Sequence, residues 1–174
     1  MTIREYRHGS LRVTADYLPA AVDSYSHRAG ERHVRLLVLH SAECAEVPTA
    51  AESLAKWSNG PQHPKASWHF AVDSNSITQS VELHNVAWHA GIVNGYSIGI
   101  EQAGRAIQTA AQWHDVYSAQ MLGRVSRLIA VLGGYYDLPL DYVTDKLETA
   151  RGVTTHAAIT RYFRVKGGHT DPGP

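Results

Sequence analysis

Cysteine is nearly missing from this sequence. Cys44 stands alone among 174 residues, so no intrachain disulfide can form and a zinc site built on four thiolates is excluded. Any metal must therefore sit on histidine and carboxylate side chains. An excess of charge is lacking too: sixteen Lys and Arg balance sixteen Asp and Glu, for a formal net charge of +0. That leaves no long-range field to draw in phosphate backbones, and nucleic acid is not an expected partner. No stretch approaches the roughly 18 apolar residues of a membrane span, and Met1 to Ala20 has no apolar run of the signal-peptide kind. A membrane is accordingly not an expected partner, and synthesis in the cytoplasm without a signal peptide is expected. Disorder is excluded by a composition of 44% hydrophobic and 18% charged residues, and the length suits one domain with a substantial core.

Histidine is in excess, with eleven in the chain. Imidazole is the commonest neutral metal ligand and titrates nearest neutral pH, so these side chains need sorting. Along the chain, residues 1–32 mix Arg, Tyr, Ser and Gly with weak periodicity, broken at Leu18-Pro19 and Ala29-Gly30. They read as a loop with one short strand at most, an N-terminal extension packed on a single domain of residues 1–174. Val34 to Leu39 is a short β-prone run with His40 at its end. Thr49 to Trp57 has helical spacing, with Ala51, Leu54, Ala55 and Trp57 on one stripe, and Asn59-Gly60-Pro61 stops it. Trp68 to Val72 and Ile77 to Val81 flank a turn-forming Asp73-Ser74-Asn75-Ser76, a hairpin signal. Tyr96 to Glu101 predicts a further strand. Ser118 to Tyr136 predicts a long helix with an apolar stripe of Met121, Leu122, Val125, Leu128, Ile129 and Leu132, closed by Gly133-Gly134. Interleaved strands and helices imply an α/β or α+β fold with a mixed sheet.

Three positions suit metal chemistry. His40 ends a buried-type strand, where sheet proteins place their sites. His156 follows two β-branched threonines in a loop-to-helix context. Asp171 lies in a rigid Asp-Pro-Gly-Pro segment. Two histidines and one carboxylate would leave a fourth position open, as in a catalytic zinc site. Spacing alone does not select these three from the other histidines, any one of which could be a surface or packed side chain.

The ordered strings carry more. Trp88-His89-Ala90-Gly91, then Asn94-Gly95-Tyr96-Ser97-Ile98-Gly99-Ile100-Glu101, then the terminal Asp171-Pro172-Gly173-Pro174 resemble the type 2 N-acetylmuramoyl-L-alanine amidases. Their fold is shared with peptidoglycan recognition proteins and T7-type phage lysozymes. The resemblance runs from about Arg35 to Pro174, and its phage relatives point to the amidase domain of an endolysin, with a mycobacteriophage as one source. It implies an α/β fold with a central mixed β-sheet flanked by helices, and Zn2+ on His40, His156 and Asp171. It further implies a proton-transferring Glu101 and hydrolysis of the amide between N-acetylmuramic acid and L-alanine in peptidoglycan, the expected partner of a monomeric chain. Many members place a lysine two residues before the third ligand to stabilise the oxyanion. Here His169 holds that place, with Lys166 a second candidate. Trp68, His69, Trp88, His89 and Asn94 fall at groove positions of the family and are expected substrate contacts, with a core role open for His69. The interval carrying Arg161, Tyr162 and Phe163 reads as an inserted loop that either contacts substrate or lies on the surface. An endolysin would be made in the host cytoplasm and act at the cell wall after release. A binding module that does not cut peptidoglycan, or an intracellular amidase that recycles muropeptides, would share the same fold.

Overall fold

The computed structural model describes residues 2–173. In chain order its elements are β1 (Thr2–His8), β2 (Leu11–Tyr17), β3 (Tyr25–Ser26), β4 (Leu36–Ser41), α1 (Ala50–Ser58), β5 (Phe70–Val72), β6 (Ile77–Gln79), β7 (Val86–Ala87), β8 (Ser97–Gln102), α2 (Val116–Tyr135), β9 (Gly152–Thr155) and α3 (His156–Phe163). Seven strands form one sheet in the order β1-β2-β6-β5-β8-β4-β9, and β3 pairs with β7 apart from it. The sheet is mixed. β5, β8, β4 and β9 run parallel, whereas β1–β2 and β5–β6 are antiparallel hairpins.

Alternation along the central strands decides which side each residue faces. Leu37 on β4, Ile98 and Ile100 on β8, and Phe70 and Val72 on β5 pack against Met121, Val125, Leu128 and Leu132 of α2. These are the apolar stripe that the sequence predicts for this helix. Asp115 caps it, its carboxylate accepting from the Ser118 N–H at 2.8 Å. Leu36 and Val38 face the opposite way, toward Ile159 of α3, Val93 and Leu147. Burying both faces explains why β4 reads as an unbroken apolar run. A third cluster joins Ala51 and Leu54 of α1 to Trp68 and Ala71. α1 receives part of its N-terminal capping from outside: buried Asp73, in the β5–β6 turn, accepts from Ala51 N–H at 3.1 Å.

Three sequence readings are corrected. Residues 1–32 are not mainly loop, because β1 and β2 form a fully registered seven-residue hairpin that extends the sheet through β2–β6 pairing. Its buried face consists of little more than Val13 and Ala15, with Tyr6 packed beside them, so the alternation is masked by charged neighbours. Gly133 and Gly134 do not end α2, which runs on to Tyr135. A side chain on Gly134 would meet the His8 ring at 2.0 Å, and one on Gly133 would meet Leu140 at 2.5 Å. These glycines permit close packing within the helix. Arg161, Tyr162 and Phe163 form the last turn of α3, with Tyr162 and Phe163 packed on the Leu36–Val38 cluster. They are not an inserted loop.

Candidate active site

The parallel strands β4, β8 and β9 deliver their carboxyl ends to one edge of the sheet, the usual location of sites in such sheets. His40 is in register with Glu101 across β4 and β8. By the alternation above, both lie on the face opposite α2. Leu39 is in register with Thr155 of β9, so the next residue, His156, starts α3 beside His40. Thr155 caps that helix through Oγ1, which accepts from Ala158 N–H at 3.2 Å. The C-terminal segment then folds back, with Ala157 N–H donating to the Asp171 carbonyl at 2.8 Å. Gly173 seats against Ala106, where a side chain would lie 2.2 Å from the carbonyl oxygen.

Three donors converge as a result. His40 Nδ1 is 3.2 Å from His156 Nδ1 and 3.1 Å from Asp171 Oδ2, while Asp171 Oδ1 lies 3.5 Å from His156 Nδ1. One ligand atom from each residue falls within 4.8 Å of the others. Zinc bonds of ~2.0–2.2 Å to nitrogen and carboxylate oxygen would put tetrahedral ligands roughly 3.3–3.5 Å apart. The donor set therefore fits a zinc ion, and all three side chains are buried or nearly so.

The electrostatics follow from this crowding. Burial opposes the charged form of His40, but Glu101 and Asp171 outweigh it and raise its pKa. Burial first, and then the His40 cation, lower the pKa of His156 to about 4. Burial alone would raise Asp171, yet the three surrounding histidines hold its carboxyl below the usual range. Glu101 is raised, chiefly by burial and further by the Asp171 and Glu43 carboxylates, against the pull of His40. A carboxyl with raised affinity for protons beside a metal site is suited to proton transfer.

The site lies in a groove of about 610 Å³ whose walls include His40, Glu101, His156, Asp171, His169, Trp68, Trp88, His89 and Asn94. His169 is exposed and stacks on His156, with ring centroids 4.1 Å apart, and its Nδ1 is 3.2 Å from Asp171 Oδ1. From the same segment Val165 and Gly168 also reach the groove, whereas Lys166 is not on its wall. Trp88 lines the groove with its indole N–H donated to Ser26 Oγ at 2.9 Å. Asn94 also lines it, but its Oδ1 accepts from His89 and Ala90 N–H groups at 3.2 and 2.7 Å. Its carboxamide oxygen staples the turn that carries the Trp88-His89-Ala90-Gly91 string.

His69 is not a substrate contact. It is fully buried and absent from the groove wall. Gly99 N–H donates to its Nδ1 at 3.1 Å, which leaves the ring proton on Nε2, 3.3 Å from the Asn85 carbonyl and with Arg32 Nη1 beside it at 2.9 Å. The open core role is the correct one.

Two residues were missed by sequence reasoning. Arg32, 8% exposed, fans out four N–H groups to four carbonyls: Nη1 to Leu83 and Asn85 at 3.1 and 2.5 Å, Nη2 to Asn94 and Ser97 at 2.9 and 2.6 Å. It ties the stretch of residues 83–97 to the segment that leads into β4, and no sequence signal separates it from the chain's other arginines. Trp57, read as part of the apolar stripe of α1, is instead 52% exposed. It stacks on Trp68 at 6.2 Å and lines the groove. An aromatic face of this kind suits a sugar ring or an apolar peptide side chain. Trp57→Ala is expected to raise KM about 3–10-fold with kcat little changed. Steady-state kinetics check this, and an unchanged KM would remove Trp57 from the substrate path.

Comparison with known proteins completes the picture. The family model described as N-acetylmuramoyl-L-alanine amidase matches residues 30–174, and the chain belongs to that family. It is 31% identical over 96 residues to the N-acetylmuramoyl-L-alanine amidase XlyA of Bacillus subtilis (strain 168), covering 52% of this chain and 31% of that protein. It is also 31% identical over 110 residues to N-acetylmuramoyl-L-alanine amidase A of Achromobacter lyticus, covering 63% and 56%. The chain thus spans about half or less of the length of these relatives. A solved structure of AmpD superposes with a TM-score of 0.64 at 22% identity, covering 92% of this chain and 88% of that one. That likeness establishes the shared fold, a mixed sheet flanked by helices. Among the described residues, no helix is long and apolar enough to cross a membrane.

Proposed function

We propose that this chain is a zinc-dependent N-acetylmuramoyl-L-alanine amidase that cuts peptidoglycan between the lactyl group of N-acetylmuramic acid and the L-alanine of the stem peptide. The observation that carries this reading is the convergence of His40 Nδ1, His156 Nδ1 and the Asp171 carboxylate at the edge of a groove, in a chain of this family. When bound, zinc supplies a Lewis acid that polarises the scissile carbonyl and lowers the pKa of a water toward about 7. Glu101 takes a proton from the attacking water and returns it to the nitrogen of the leaving L-alanine, so water adds across the C–N bond and leaves an acid and an amine. His169 donates a hydrogen bond to the carbonyl oxygen as negative charge develops on it. Trp88 and Trp57 flank the substrate, aromatic faces against sugar and peptide, with the buried Trp68 stacked behind Trp57. Residues 1–174 act as one monomeric domain, with the β1–β2 hairpin an integral part of its sheet. The endolysin reading adds synthesis in a phage-infected host and action at the wall after release.

The test measures metal content and the release of peptides with a free N-terminal L-alanine from purified sacculi, on one sample. About one zinc per chain with release is expected. Chelation should abolish release and added zinc should restore it; full activity in a metal-free sample overturns the metal assignment. Zinc without release from sacculi or soluble muropeptides favours a binding module. Cleavage confined to soluble fragments favours a recycling amidase.

A further inference from the structure

His89 was expected to contact substrate, but both of its ring nitrogens are already engaged. Nε2 lies 3.0 Å from Ser97 Oγ, and Nδ1 lies 3.0 Å from His40 Nε2. The direction of each hydrogen bond can be assigned from the far end. Ser97 has one hydroxyl proton, and it goes to the Val93 carbonyl at 2.8 Å. Ser97 Oγ must therefore accept from His89, which places the His89 proton on Nε2. Among the described residues no carboxylate bonds to either nitrogen of the half-buried His89 ring, so the ring is neutral and its Nδ1 carries a lone pair. That lone pair accepts from His40 Nε2–H. His40 Nδ1, the atom facing His156 and Asp171, is thereby the nitrogen left with an electron pair to give a metal.

Local packing holds this chain of bonds in place. The His89 ring rests on Gly99, where a side chain would lie 2.5 Å from its Cγ, so only glycine leaves room for it. Asn94 Oδ1 clamps the His89 backbone. The rings of His40 and His89 meet edge to face at 5.2 Å. His40 is thus oriented on one side by His89 and leaves its other side to the donor cluster.

We propose that His89, anchored by Ser97, is a positioning residue that fixes the tautomer and orientation of His40 and so sets the zinc affinity of the site. The proposal rests on the metal reading above and gives His89 a role other than substrate contact. Outer partners of metal-bound histidines typically change metal affinity by about 10–100-fold. The test is zinc titration against a chromophoric chelator, for wild type, His89→Ala, His89→Asn and Ser97→Ala. His89→Ala is expected to bind zinc about 10–100-fold more weakly. His89→Asn should recover part of that loss, because its Oδ1 can accept in place of Nδ1, and Ser97→Ala should show a smaller loss. Long-range ¹H–¹⁵N spectra of the zinc-loaded wild type should show His40 protonated at Nε2 and His89 at Nε2.

Wild-type zinc affinity in a folded His89→Ala chain overturns the proposal, as does a raised KM with zinc binding unchanged. Protonation of His89 at Nδ1 overturns it independently of any variant. Failure of the wild type itself to bind zinc would instead reject the metal reading. A His89→Ala chain that does not fold leaves the spectra and Ser97→Ala to decide, and equal zinc affinity in Ser97→Ala with the opposite tautomer counts against the relay.

Discussion

Glu101→Gln is expected to keep about one zinc per chain and to lose about 10²–10⁴-fold in kcat, the usual share of a general acid–base group. Glutamine matches the shape of glutamate but cannot hold a transferable proton, so folding and metal content should stay near wild type. The direction of the Glu101 pKa shift sharpens the expectation. Burial and the Asp171 and Glu43 carboxylates push it up, toward the range where one group can accept a proton in the first step and deliver it in the second. Kinetics on sacculi with parallel metal analysis measure both quantities. An active, zinc-loaded Glu101→Gln enzyme would remove Glu101 from the mechanism. A chain that lost zinc as well would show that Glu101 acts through its neighbour His40.

Arg32→Met is expected to destabilise the fold by about 3–5 kcal/mol, because methionine fills much of the same space while taking the guanidinium donors from the Leu83, Asn94 and Ser97 carbonyls and leaving Asn85 with His69 alone. For a domain of this size that corresponds to a fall in Tm of roughly 10 °C. Hydrogen exchange should rise first between residues 83 and 97, whose carbonyls Arg32 holds. A loss below about 1 kcal/mol would mean that water replaces the guanidinium at little cost. His69 shares this pocket, and burial followed by the Arg32 cation holds its pKa at about 3. An unfolded histidine titrates near 6.5. Between those values the unfolded chain binds the extra proton, so His69 contributes stability above pH 6.5 that is lost as the pH falls toward 3. The slope is about 1.4 kcal/mol per pH unit for this one proton. Urea midpoints across that window, compared with His69→Asn, should show an acid limb shallower by one proton in the variant. Parallel limbs would mean that His69 is charged in the native chain.

Helices α1 and α2 and the strands β4, β5, β6 and β8 were legible from residue pattern because their burial is strong and regular. α2 shows its stripe, β4 its apolar run, and the β5–β6 hairpin its turn, each a local consequence of which atoms leave water. The metal-donor candidates were legible for a different reason. His40, His156 and Asp171 were set apart by the strings around them, not by spacing. The β1–β2 hairpin escaped notice because an edge strand with a small buried face leaves little alternation to read. Arg32, Trp57 and the true role of His69 escaped because each is defined by partners distant in the chain. Arg32 is an ordinary polar residue until the carbonyls of residues 83–97 surround it, and Trp57 is an ordinary stripe residue until its ring is found stacked outside the core.

What the sequence determined alone is the set of local preferences and the identity of the chemical groups: mixed sheet, long helix, and two histidines with one carboxylate available to a metal. Tertiary structure decided which groups meet. Parallel register between β4 and β8 sets His40 beside Glu101, and the start of α3 brings His156 to 3.2 Å from His40. Gly99 makes room for His89 to face His40 from the other side. Those distances depend on contacts between residues far apart in the chain, whose closure entropy is met by the whole core rather than by any local segment.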